Sequence, residues 1–292
     1  MSEGARIGFI GAGRVGLALS RAFERAGMPV VAAASRRRAS AEALAAPLAA
    51  CRVFDAPQAV VDHAELVFLS VPDEAIAALA ASLRWRAGVA VVHCSGASEL
   101  TTLAAARAAG AQVGSFHPLL MFADPEVAAA ALPGCAIALE AEGELLRELE
   151  AMVAALGAQT LRVPPGARAA YHAASHYGAA FLCVLLAEGM KILDAAGISG
   201  EAPRKALLSL ARGTLDALEQ TDPARAMAGV YARGDSGSAA RHLRALDAMN
   251  PDVAAFYRAL ALRSVALAEE ANRIDHASAD SLRNLISAAT TP

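Results

Sequence analysis

Lysine is nearly missing from this chain. Lys191 and Lys205 are its only lysines, although Lys and Arg together number 26 in 292 residues. Aromatic side chains are scarce too, at 4%. No basic arm and no interleaving of cations with aromatics points to a nucleic-acid partner, and the net charge of −3 points to no polyanion. The four cysteines, Cys51, Cys94, Cys135 and Cys183, form no C-x-x-C pair. That argues against zinc or a redox dithiol and for reduced thiols in a cytoplasmic protein. No apolar run approaches the roughly 20 residues of a membrane span; the stretch Ala179–Ala187 stops at Glu188. The opening residues, MSEGARIGFIGAG, carry an acid where a signal peptide carries basic residues, and a strand in place of its apolar core.

What is present is a 56% hydrophobic, 19% charged chain with enough length for two domains. Ile7–Ile10 reads as a short buried strand. Gly11-Ala12-Gly13-Arg14-Val15-Gly16 follows, then an amphipathic helix to about Ala26 and a second strand, MPVVAAAS. A G-x-G-x-x-G flanked in this way is a dinucleotide-binding turn. Gly11 makes the tight turn, Gly13 admits a pyrophosphate, and Gly16 lets the helix approach the strand. The free N–H groups at the helix start would hold the phosphates.

The end of the second strand selects the cofactor. An NAD site places Asp or Glu about 20 residues past the glycines, on the ribose 2′-hydroxyl. Here stand Ser35, Arg36 and Arg37, with Arg38 next and no acid beside them in sequence. A hydroxyl and a guanidinium suit a 2′-phosphate, so the cofactor is expected to be NADP.

Further strands end in small or polar residues: Leu66–Val71 before Pro72, a strand closing on Ser95-Gly96, and one closing on His117-Pro118. Ligands lie beyond such carboxyl ends in an open parallel sheet. Val71, Pro72, Ser95 and Gly96 are therefore expected to line the cofactor, with Ser95 also able to bond substrate. Cys135–Glu140 and Ala158–Pro164 bring the sheet to roughly eight strands. From Pro165 the strand signals stop, and one long helical pattern runs to Gly197, followed by further helices. The expected organisation is an α/β Rossmann-type doubly wound sheet over residues 1–164, then an all-α substrate and dimerisation domain over 165–292.

The segments GAGRVG, VPDEAI, HCSGA, SFHPLLMF, YHAASHYGAAFL and ARGDSGSAARHL resemble the superfamily of 3-hydroxyisobutyrate and 6-phosphogluconate dehydrogenases, ketopantoate reductase, prephenate dehydrogenase and pyrroline-5-carboxylate reductase. They are most similar to a bacterial group of Rossmann-like oxidoreductases with a C-terminal domain of unknown function. The resemblance implies NADP-dependent reduction of a small carbonyl or imine, and a homodimer through the helical half. In the hydroxyacid dehydrogenases a lysine on the interdomain helix, followed four residues later by an asparagine, supplies the proton. His172 and His176 fall at those places here. Lys191 lies nineteen residues past His172, about 30 Å along a helix, and cannot replace them. A His-Pro pair at a strand end also serves the substrate site of prephenate dehydrogenases, which makes His117 a third candidate.

Histidine titrates near neutrality and suits a proton donor. His172, His176, His117 and Ser95 are thus the candidate catalytic groups, each against the alternative of a structural residue. No nearby carboxylate on that helix completes a metal site with the histidine pair, and no metal is expected. Tyr171, next to His172, should face elsewhere on the helix. Arg233 could clamp a substrate carboxylate, but reads as a surface residue. His242 and His276 read as solvated. The alternatives to a carbonyl reductase are an imine reductase of the pyrroline-carboxylate type, a deazaflavin-linked reductase and a non-catalytic NADP sensor or scaffold.

Overall fold

The structure is a computed structural model that describes residues 5–288. The chain divides into two compact units, Met1–Ala179 and Ala180–Pro292. The change of architecture read from the sequence lies at 164/165.

The first unit alternates strands and helices. Its strands are β1 (Ile7–Ile10), β2 (Val30–Ala34), β3 (Arg52–Phe54), β4 (Leu66–Leu69), β5 (Ala90–His93), β6 (Gln112–Pro118), β7 (Ala136–Glu140) and β8 (Gln159–Arg162). Its helices are α1 (Arg14–Arg25), α2 (Arg38–Ala45), α3 (Pro57–His63), α4 (Asp73–Ser82), α5 (Ala104–Ala108), α6 (Pro125–Ala131), α7 (Gly143–Ala155) and α8 (Arg168–Gly178). One sheet of eight strands results, in the order β3-β2-β1-β4-β5-β6-β7-β8. The order reverses between β1 and β4, which is where a doubly wound sheet opens its ligand crevice.

Both faces are covered, so the central strands are continuous apolar runs rather than alternating ones. On one face Phe9, Phe23, Phe68 and Phe116 form the centre of the core. Phe9 stacks on Phe68 at 5.2 Å, and Phe116 meets Phe68 edge-on at 5.5 Å. On the other face Ile10, Val67, Leu69, Ile76 and Val91 pack together. Trp85 closes that side and donates its indole N–H to Ala80 O at 2.7 Å.

Two features of the sheet go beyond the sequence reading. β3 was not legible, because three residues with an exposed Arg52 carry too little pattern. β7 runs antiparallel to β6, with Ser115 opposite Glu140 and His117 opposite Ala138. Its chain needs no crossover: α6 packs Ala128 and Ala129 against Ala18 of α1, and Glu126 pairs with Arg21 and Arg25.

The second unit is helical, with α9 (Ala180–Ala195), α10 (Glu201–Gln220), α11 (Pro223–Ala226), α12 (Ser236–Met249), α13 (Pro251–Glu270) and α14 (His276–Ser287). Side chains of Asp235, Asn250 and Asp275 accept from the first-turn N–H groups of α12, α13 and α14, which fixes their starts. Ala239, Leu243, Val265, Leu282 and Ile286 form its core. The long helix expected from 166 to 197 is instead two, broken at Ala179 with φ −126 and ψ −94. Gly178 precedes the break, and glycine resists helical φ/ψ at an entropic cost of about 1 kcal/mol relative to alanine.

Candidate active site

The β1–α1 turn has the geometry of an anion cradle. Gly11 adopts φ +101, and an added Cβ would strike the carbonyl of Ser70. At Gly16 a Cβ would lie 2.6 Å from Ser70 Oγ and 2.9 Å from Gly11 O. That hydroxyl bonds Gly11 O at 2.7 Å, so β1, β4 and α1 are drawn together here. Gly13 is different. It is exposed, and a Cβ there would meet nothing within 4 Å. Helix α1 starts with no side-chain cap and no acid in its first turn. Its free N–H groups and positive dipole face open space over Gly13, the setting a phosphate needs. Ala12 is buried beneath the turn, while Arg14 is exposed at its rim.

At the end of β2, Ser35 is half-buried and Arg36 and Arg37 are exposed. Acids do come near this loop, through the fold rather than the sequence. Asp55, after β3, and Glu42, on α2, both pair with Arg38. Arg36 and Arg37 have no ion-pair partner among the described residues.

A second polar group forms where β5 and β6 end. Register places Ile10, Leu69, His93, Ser115 and Glu140 in one row across β1, β4, β5, β6 and β7. Neighbours in such a row share a face, so the row turns from apolar to polar at β5. Arg168, the first residue of α8, covers the polar part. Its side chain is wholly buried. Nε donates to Glu140 Oε2 at 2.7 Å, Nη1 to Ser95 O at 3.2 Å, and Nη2 to Ser115 Oγ. Its backbone N–H donates to Glu99 at 3.2 Å.

One turn further along α8 come Tyr171 and His172. Tyr171 Oη lies 2.7 Å from His117 Nδ1. His172 meets the His117 ring edge-on at 6.0 Å and the His176 ring at 4.8 Å. Gly96 lies under the cluster, where a Cβ would come within 2.6 Å of His172 and 2.9 Å of His117 Nε2. Burial, then His172, then Arg168 push His117 down to about 4, against a weaker opposite pull from Asp73. Burial, then Arg168, then His117 push His93 down to about 3. Burial pushes the Tyr171 phenol up to about 12. All three groups are therefore neutral at pH 7.

The structure brings some of the expected site residues together and leaves others apart. His117 and His172 come together with Gly96. His176 is next along the helix, and its Nδ1 bonds His172 O at 2.9 Å. Ser95 has its hydroxyl engaged, donating to Asp73 Oδ2 at 2.6 Å and accepting from the N–H groups of Ala97 and Ser98 at 3.2 and 2.9 Å. Val71 and Pro72 lie at the end of β4, ahead of α4. Tyr171 is a correction: it does not face away but bonds His117. Consecutive helical side chains diverge by about 100°, and His117 fits between the two. Arg168 and His93 were also missed, since nothing local in sequence marks them. Among the described residues no group of three or more His, Cys, Asp or Glu could hold a metal, and no helix is long and apolar enough to cross a membrane. Asp235 of the ARGD loop caps α12, and Arg233 is exposed. His242 bonds Tyr257 Oη at 2.9 Å, and exposed His276 pairs with Glu269. A cleft of about 810 Å³ between Ile7, Leu66, Ala90 and Glu148 lies at the amino ends of β1, β4 and β5, away from both polar groups.

Solved structures share this fold across nearly the whole chain. A Bacteroides fragilis protein provisionally named an NADP oxidoreductase is 23% identical, with a TM-score of 0.73 over 90% of this chain and 99% of that one. A reductive aminase from Aspergillus terreus, solved with NADPH and ethyl-5-oxohexanoate, is 17% identical, with a TM-score of 0.60 over 97% and 92%. An imine reductase variant from Myxococcus stipitatus, solved with NAD+, is 20% identical, with a TM-score of 0.62 over 95% and 98%. No protein of curated function matches the sequence. Two family models match separate parts of the chain: a Rossmann-like domain over residues 2–118, and a domain of unknown function, DUF2520, over residues 135–264, which begins inside the sheet.

Proposed function

We propose that this protein is an NADP(H)-dependent oxidoreductase that reduces a small carbonyl compound. The carrying observation is that one sheet bears both parts of such a site. An open, uncapped glycine turn lies at β1, and the His117–Tyr171 pair lies with His172 at the carboxyl ends of β5 and β6. NADPH, held by Gly11 to Gly16 and by Ser35, Arg36 and Arg37, would supply the hydride. Val71, Pro72, Ser95 and Gly96 would border its nicotinamide end.

A hydride acceptor needs a proton or a hydrogen-bond donor on its oxygen as charge develops there. Tyr171 keeps its proton at neutral pH and can donate it to His117 Nδ1. That leaves His117 with Nε2–H, on the side of Gly96. The pair thus presents one donor backed by a second proton, and His172 borders the same space. Ser95 holds the loop after β5 against Asp73 and sets the position of Gly96.

An imine is the alternative acceptor, because proteins of this fold include a reductive aminase and an imine reductase. The helical unit would pair with a second copy. Neither α9 nor α10 buries a side chain, yet Val184, Leu185, Leu210 and Leu215 are 40–69% exposed. Light scattering at micromolar concentration should give a dimer mass, and a monomer mass overturns that part. The test of the whole is NADPH consumption against small ketones, with and without an amine. Turnover by the ketone alone supports carbonyl reduction, and turnover only with amine supports the imine. Tight NADPH binding without turnover favours a sensor. Failure to bind NADPH, together with binding of a deazaflavin, favours that cofactor.

A further inference from the structure

We infer that Arg168 is a positioning residue: its buried guanidinium ties together the loop after β5, the middle of β6 and the end of β7, and sets the first turn of α8, and with it Tyr171 and His172, against His117. The chemistry it serves rests on the proposed reductase reading. Its geometry does not.

Arg168 is the largest wholly buried side chain described. It reaches three strands through three different nitrogens, bonding Ser95 O on the loop after β5, Ser115 on β6 and Glu140 on β7. The backbone at its end of α8 is tied down as well, since the Glu99 carboxylate accepts from the N–H groups of Gly166 and Arg168 at 3.1 and 3.2 Å. Tyr171 and His172 stand three and four residues on, the spacing that shares a helix face. A rotation of the first turn of α8 would carry both away from His117.

Anchoring alone does not call for a charge. A buried ion pair carries a large desolvation cost, and an apolar residue often anchors a helix as well or better. The guanidinium adds direction, because its planar fork fixes three bonds at once. It also adds a field. His117 is faced by Tyr171, His172 and Arg168 from α8, by Asp73 from the start of α4, and by His93 from β5. Asp73 alone among these favours the charged imidazole, and Arg168 opposes it.

The test uses Arg168→Met/Glu140→Gln, which removes both charges together, and Arg168→Lys, which keeps the charge and loses the fork. Histidine ring titrations followed by NMR, NADPH titration and steady-state rates are measured on the full chain. In the double variant the His93 and His117 titrations should move up by about one unit. Its kcat should fall by tenfold or more at unchanged NADPH affinity. In Arg168→Lys the titrations should return towards wild type while kcat stays low. A folded double variant with wild-type titrations and kcat overturns the inference. If the double variant does not fold, Ser115→Ala and Glu140→Gln each remove one bond, and wild-type kcat and titrations in both overturn it. Should the wild type bind no nucleotide and reduce nothing, the reductase reading fails while the titrations still report on Arg168.

Discussion

Tyr171 Oη stands 2.7 Å from His117 Nδ1, joining the first turns of α8 to the end of β6 across 54 residues of sequence. Tyr171→Phe removes the hydroxyl and leaves the ring packing in place. A positioned proton donor contributes roughly 10²–10⁴-fold. The variant should therefore lose about a hundredfold in kcat while binding NADPH as the wild type does. Rates and nucleotide titration on the same preparation check this, and an unchanged kcat removes Tyr171 from the chemistry.

Gly96→Ala should wedge the two imidazoles apart. Its Cβ would come 2.6 Å from His172 and 2.8 Å from His117 Cε1. Overpacking of this kind costs about 1–3 kcal/mol. Urea unfolding should show that loss, and the reductase rate should fall with it. Wild-type stability would mean that α8 yields easily at this point.

Gly13 and Gly16 of the first turn should separate by phenotype. Gly13 has extended backbone and open space around its α-carbon, so Gly13→Ala should fold normally and lose nucleotide affinity. Gly16→Ala should unfold earlier in denaturant, because its Cβ meets Ser70 and the Gly11 carbonyl. Equal thermal stability of the two variants contradicts this division.

Arginines 36 and 38 should differ although they lie two residues apart. Arg38 is held by Asp55 and Glu42. Arg36 is free to meet a 2′-phosphate. Arg36→Ala should lose about tenfold or more in NADPH affinity, from the loss of a charge-assisted contact, and little in NADH affinity. Arg38→Ala should change either by less. Fluorescence titration of both nucleotides decides it.

Acid should weaken the fold earlier than its carboxylates require. His93 and His117 titrate near 6.5 when unfolded and at about 3 and about 4 when folded. Below 6.5 the unfolded chain binds protons that the folded one refuses. Stability is then complete above about pH 6.5 and falls as pH drops towards 4 and 3. His93 has no well-aligned hydrogen-bond partner for either ring nitrogen. Thus His93→Leu should flatten the slope between pH 6.5 and 4. An unchanged slope would assign the loss to other groups.

Much of this was legible in the sequence where a pattern is local. The glycine turn, the strands ending at Ser95 and His117, and the helices Glu201–Gln220 and Ser236–Met249 all follow from short runs. What pairing creates was not legible. His93, Ser115 and Glu140 become neighbours only through strand register, and Arg168 has meaning only above that row. Asp55 reaches Arg38 only because β3 lies beside β2. Adjacency to His172 hides the role of Tyr171 in the sequence, yet the His117 imidazole from β6 meets both side chains.

The measurement closest to the central claim is a parallel titration of NADPH and NADH on wild type, Arg36→Ala and Gly13→Ala. The account predicts that wild type binds NADPH more tightly than NADH. Arg36→Ala should lose that preference, and Gly13→Ala should bind neither while unfolding at the wild-type temperature. If wild type binds neither nucleotide, or if Gly13→Ala binds both normally, the glycine turn is not a dinucleotide site and the proposed function fails.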